Sequence, residues 1–183
     1  HDTFTVGPGI FDARTGAPLS IGVVPVDGFR LDVWRAPTDN DETPGGPPGT
    51  RVGSLWRDLG LHRVRHRLDG VKVEDDALVV RGRVGPAASQ LGLATEYRWT
   101  AAGDRVTVSV SVTPEGDWRV PLPRLGVRFG LPAEYGRVTW FGGGPGEAYP
   151  DTRAAARIGR YHADVDALQT PYVRPQENGA RAD

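Results

Sequence analysis

Cysteine and methionine are both absent from this 183-residue chain. Without cysteine there can be no disulfide, no thiolate metal site and no cysteine nucleophile. Lysine is nearly absent too: of 22 cationic side chains only Lys72 is not an arginine. They face 23 Asp and Glu, so the formal net charge is −1 and the positive excess of a nucleic-acid or anionic-membrane binder is missing. No apolar run approaches the roughly 18–20 residues needed to span a bilayer, and no signal-peptide pattern opens the chain. A chain that starts at His1 and holds no methionine is expected to be a piece of a longer polypeptide. What remains is an ordinary globular composition, 38% hydrophobic and 25% charged, long enough to bury a core.

Glycine (25) and proline (16) punctuate short segments with the two-residue period of strands. In Arg105–Thr113, Val106, Val108, Val110 and Val112 point one way and Thr107, Ser109 and Ser111 the other, which predicts a half-buried antiparallel strand. Leu125, Val127, Phe129 and Leu131 repeat the pattern. Further strands are expected at Phe29–Trp34, Val71–Glu74, Leu78–Val84, Thr95–Thr100 and Val138–Phe141. Val52, Leu55, Trp56 and Leu59 have helical spacing, and Gly60 is placed to end a short helix over Thr50–Leu59. A turn of helix is expected within Asp166–Pro171. The fold class is therefore mostly β, an antiparallel sandwich or a barrel with one short helix.

Three loops stand apart from sandwich filler: Trp34–Asp41 with the following Pro/Gly-rich stretch to Gly49, Trp140–Asp151, and Pro171–Gly179. Each sets aromatic, acidic and amide groups in a Gly/Pro-braced segment, where sites tend to be built. Asp39, Asn40, Asp41 and Glu42 are read first as a self-bonded loop in which Arg35 neutralises an acid. A saccharide-facing rim is the second reading and a hard-cation site the third; Pro44 stands where an EF-hand loop needs glycine. Gly142–Gly146 lacks the Lys-Ser/Thr of a phosphate loop and is read as a tight turn passing close to another segment. Glu147, Tyr149 and Asp151 could face a ligand or anchor the loop. His62 and His66 alternate with Arg63, Arg65 and Arg67, so they are read as one side of a strand edge rather than a metal pair. No serine-centred nucleophile motif is present, and no pair of acids is marked as a glycosidase pair.

Taken in order, Trp34-Arg35-Ala36-Pro37-Thr38-Asp39-Asn40-Asp41, Trp140-Phe141-Gly142 through Tyr149-Pro150-Asp151, and Tyr172-Val173-Arg174-Pro175-Gln176-Glu177-Asn178-Gly179 resemble the C-terminal, small-chain domain of glycoside hydrolase family 2 β-galactosidases. Phe11-Asp12, Thr15-Gly16, Trp56, Gly60-Leu61-His62 and Arg67 extend the likeness over nearly the whole chain. This chain has Gly143, Gly146 and Ala148 where the family commonly carries Arg, a larger residue and Asn.

The resemblance implies a galactose-mutarotase-like antiparallel supersandwich, with residues 1–183 as the larger N-terminal part of that domain, cut short at its C-terminal end. It implies a bacterial cytoplasmic, homo-oligomeric parent that hydrolyses β-galactosides with retention. The parent's catalytic glutamates and its Mg²⁺ and Na⁺ would lie in a barrel domain of the same chain. This piece would be non-catalytic, without a catalytic residue, metal or cofactor of its own, and would bind neither nucleic acid nor membrane. Its substrate-rim candidates are Arg35, Asp39, Asn40, Asp41, Glu147, Tyr149, Asp151, Arg174, Glu177 and Asn178. Two rivals stand beside this reading: a free-standing carbohydrate-binding module, and a mutarotase-like epimerase drawing its acid and base from His66, His162 and Glu177.

Overall fold

The fold is described from a computed structural model, for residues 2–42 and 51–181. Strands β1 (Thr3–Val6), β2 (Gly9–Asp12), β3 (Pro18–Ile21) and β4 (Val24–Pro25) form a first meander, and β5 (Asp27–Asp32) follows. After helix α1 (Val52–Asp58) come β6 (Arg65–Glu74), β7 (Ala77–Gly85), β8 (Gly92–Ala102) and β9 (Arg105–Glu115), a second meander of long strands. Then β10 (Gly126–Gly130) pairs back onto β5, and β11 (Arg137–Gly144) pairs with β12 (Arg157–Asp164). Every described pairing is antiparallel.

The two-residue period explains how the layers meet. Leu78, Val80 and Val84 of β7 lie opposite Trp99, Tyr97 and Leu93 of β8, and these lie beside Val108, Val110 and Pro114 of β9. That apolar face is covered in two places. Val6 and Phe11 of the first meander bury Leu78, Val80 and Trp99, while Leu31 and Val33 bury Val84 and Leu93. Trp99 takes Phe11 and Phe29 edge-on at 5.0 and 4.8 Å, the geometry aromatic quadrupoles favour. The Leu31 N–H donates to the hydroxyl of half-buried Tyr97 at 2.9 Å, which satisfies both groups where the layers cross. The result is an antiparallel β-sandwich.

The opposite face of the second meander is polar. Arg81 lies directly across from Glu96 and forms ion pairs with it and with Glu74, and Arg83 pairs with Glu115. The β6–β7 turn needs positive φ at Asp75 and Asp76, which aspartate tolerates better than most residues.

Several expectations change. Gly142–Gly144 is not a tight turn: it ends β11, in register with Gly159, Ile158 and Arg157. The missing Cβ matters there because one on Gly144 would sit 2.6 Å from the Tyr161 ring. His62 does not share a strand with His66. Left-handed Gly60 opens a single 3-10 turn over Leu61–Arg63, and β6 starts only at Arg65. Strand β5 ends at Asp32, short of Trp34, and the helical turn near Asp166 spans Val165–Leu168. Residues 43–50, including Pro44 and the expected helix start at Thr50, lie outside the described residues.

Candidate functional site

The three singled-out loops meet around one cavity. The first leaves β5 and is held against α1: Arg35 stacks over the Trp56 ring at 5.0 Å, and Arg57 bonds Glu42. Trp56 is itself fixed by its indole N–H donating to the Pro121 carbonyl at 2.8 Å. Thr38 opens a 3-10 turn, Asp39–Asp41, by giving its backbone N–H and hydroxyl to Asp41 Oδ2 at 2.7 and 2.9 Å. The second loop follows β11 and turns on Thr152, whose hydroxyl accepts the Tyr149 N–H at 3.2 Å.

The third loop clamps the other two. Towards the first, the Pro175 carbonyl accepts the Asp39 N–H at 3.0 Å, Arg174 reaches Asp39 at 3.3 Å, and Glu177 pairs with Arg35 at 2.7 Å. Towards the second, Glu147 accepts the Gly179 N–H at 2.6 Å and the Tyr172 hydroxyl, and the Ala180 carbonyl accepts the Ala148 N–H at 3.0 Å. Asn178, although exposed, braces its own segment through both the N–H and the carbonyl of Thr170.

Between the loops lies an open cavity of ≈ 670 Å³. Arg35, Asp39, Asn40, Asp41, Tyr149, Asp151, Arg174 and Glu177, all candidates from the sequence, line it. Glu147 and Asn178, also candidates, do not: Glu147 binds the second loop to the third, and Asn178 braces the third loop's own segment. Thr38, Thr152, Tyr172 and Gln176 line it without having been among the rim candidates. For Thr38 a signal existed, since Thr38-Asp39-Asn40-Asp41 has the spacing of a capping box with aspartate in the third position. Tyr172 stands in the third motif, but its bond to Glu147 could not be read there because the two are distant in sequence.

Electrostatics separates anchors from available groups. Arg35 and Asp41 are only 19% and 11% exposed and form a two-pronged pair, Nη1–Oδ2 at 2.5 Å and Nη2–Oδ1 at 3.2 Å. Burial works against the Asp41 charge, but the Arg35 guanidinium and the two Thr38 donors outweigh it and hold the carboxyl below its ordinary value. Arg35 is pushed above its own value, first by the hydrogen bond to Asp41. Asp41 is therefore ionised and fully engaged, a loop anchor rather than an acid catalyst or a metal ligand. Among the described residues no three His, Asp or Glu groups converge as a cation site would need. Tyr149 is raised by burial and Tyr172 by its bond to Glu147, so both phenols stay protonated at neutral pH.

What faces the cavity is a mixture of carboxylate and amide acceptors, guanidinium and hydroxyl donors, and two tyrosine rings. That set suits a neutral polyhydroxylated molecule or a polar protein surface, and among the described residues it holds no activated nucleophile. The acid and base suggested for an epimerase are not brought together. Glu177 lines this cavity, His162 a separate polar hollow with Arg137, Thr139 and Arg160, and His66 lies near Arg30 and Arg128. Among the described residues no helix is long and apolar enough to cross a membrane.

Comparison with known proteins agrees with the loop pattern. The family model described as β-galactosidase small chain matches residues 9–183. A protein named β-galactosidase from Arthrobacter sp. (strain B7) is 35% identical over 97% of this chain. Others with that name, from Vibrio cholerae and Kluyveromyces lactis, are 38% and 30% identical over 85% and 86% of it. The chain spans only 19%, 16% and 15% of the length of these three relatives.

Proposed function

The chain belongs to the β-galactosidase small-chain family, and from that premise we propose that it is a non-catalytic sandwich portion of a retaining β-galactosidase. In this reading it braces the catalytic barrel of the same polypeptide and contributes one wall of the galactoside site. The observation that carries it is the convergence of three loops, distant in sequence, on one polar cavity with aromatic sides. The role is positional. A wall that excludes water and orients a sugar changes rate through small displacements, without supplying the reacting carboxylates. Mg²⁺ and Na⁺, if the enzyme uses them, are held by residues of the barrel; the carboxylates of the Asp39–Glu42 turn are engaged by Arg174, Arg35 and Arg57.

Arg174→Ala and Asp39→Ala in the full-length protein test this, because both residues line the cavity and are well exposed. The expected result is a raised KM or lowered kcat for a β-galactoside, with thermal melting within about 1 °C of wild type, since exposed pairs contribute little stability. Unchanged kinetics in both variants removes the substrate-wall role. Galactoside hydrolysis by the isolated chain removes the non-catalytic one.

A further inference from the structure

Across the β5–β10 ribbon two arginines face each other with no carboxylate partner for either among the described residues. Arg30 of β5 and Arg128 of β10 are direct cross-strand partners. Like charges placed opposite each other on one face repel and destabilise a ribbon. On the second meander Arg81 faces Glu96, and where Arg67 faces Arg83 each arginine has a carboxylate of its own, Asp69 and Glu115 respectively. Neither Arg30 nor Arg128 makes an ion pair or side-chain hydrogen bond among the described residues. Asp32, two residues from Arg30, is committed to Arg124 at 2.6 Å. Asp27, near the same end of the ribbon, reaches neither arginine.

His66 on β6 is close enough to feel both charges. Its ring is held below the ordinary histidine value first by desolvation and then by Arg30, with Asp32 pulling the other way and Arg128 adding to the depression. The imidazole is therefore neutral at pH 7 and keeps one N–H donor within electrostatic range of the two arginines.

We propose that Arg30, Arg128 and His66 form an oxyanion-binding site, separate from the loop cavity, that takes a carboxylate or phosphate group between the two guanidiniums. Each guanidinium presents parallel N–H donors spaced for two oxygens of one anion, and an anion between them turns a repulsive pair into an attractive triad. The anion comes either from solution, as free phosphate, or from an Asp or Glu side chain elsewhere in the full-length protein.

Thermal melting of the full-length protein, with inorganic phosphate titrated against chloride at constant ionic strength, distinguishes these sources. Wild type, Arg30→Gln, Arg128→Gln and Arg128→Glu are compared. For free phosphate, wild type is stabilised in a saturable way, and the apparent affinity falls about tenfold or more in each Gln variant, the loss expected for one charged hydrogen-bonding partner. For a carboxylate supplied by the protein, phosphate has no specific effect, and Arg128→Glu melts below Arg128→Gln because two carboxylates then meet. With no anion, Arg128→Glu forms its own pair with Arg30 and melts at or above Arg128→Gln. That order without a phosphate effect overturns the proposal, as does a phosphate effect that all three variants retain.

Discussion

Replacing Arg35 with methionine keeps an unbranched apolar stem and removes the charge and all the donors. The wild-type group makes a two-pronged bond to Asp41, a bond to the Pro123 carbonyl at 3.0 Å, a pair with half-exposed Glu177 and a stacking contact on Trp56. The Asp41 pair, mostly buried, contributes about 1.5–3 kcal/mol. The carbonyl bond adds about 1 kcal/mol, the cation–π contact about 0.5–1 kcal/mol, and the Glu177 pair less than about 1 kcal/mol because water screens it. Methionine recovers some packing on Trp56, so a net loss of about 3 kcal/mol is expected locally. Hydrogen exchange reads this at the Asp39 and Asp41 amides, which donate to the Pro175 and Thr38 carbonyls. Their exchange should accelerate about a hundredfold, since each 1.4 kcal/mol is tenfold. The effect has a sign in pH. Asp41 is depressed below 3.8 in the fold, so its stabilisation is complete above that value and is lost as pH falls through the lower folded one. The difference between wild type and Arg35→Met should therefore shrink towards pH 2. Combining Arg35→Met with Asp41→Asn should cost clearly less than the two separate losses added. Additivity within about 0.5 kcal/mol, or a difference independent of pH, refutes the hub.

Glu147→Gln should return Tyr172 towards its ordinary phenol value, because the bond to the carboxylate is the main cause of its elevation. Alkaline difference titration at the tyrosinate band measures this, and an unchanged Tyr172 step counts against the loop-to-loop clasp. Gly144→Ala should destabilise by about 1–3 kcal/mol, since the new methyl group would lie 2.6 Å from the Tyr161 ring and displace the Tyr161 hydroxyl from the Arg157 carbonyl. Gly146→Ala, with no heavy atom within 4 Å of its added carbon, is the control and should melt like wild type.

These positions also show what the sequence could and could not reveal. The long strands of the second meander were legible because valine alternates with serine and threonine in β9, and because a half-buried sheet imposes that period directly. Strand β12 was not, because Arg157-Ile158-Gly159-Arg160-Tyr161-His162 carries no apolar alternation: its exposed side holds Ile158 and His162, and its inner side glycine and tyrosine. The short strands of the first meander did not show in the periodicity for a related reason, since four residues are too few to express a period and β1 and β2 each bury little more than one or two side chains. At the loops, residue type alone picked out most of the cavity lining but could not assign roles. Asp41 and Asp39 are two residues apart and chemically identical, yet one is consumed by Arg35 and Thr38 while the other lies at the rim beside Arg174. That division follows from which carboxylate the 3-10 turn directs inwards, and the turn is fixed by Thr38 and by a carbonyl at position 175. A site assembled from three loops thus shows its parts in the sequence, and the choice between anchor and contact emerges only when the loops close on one another.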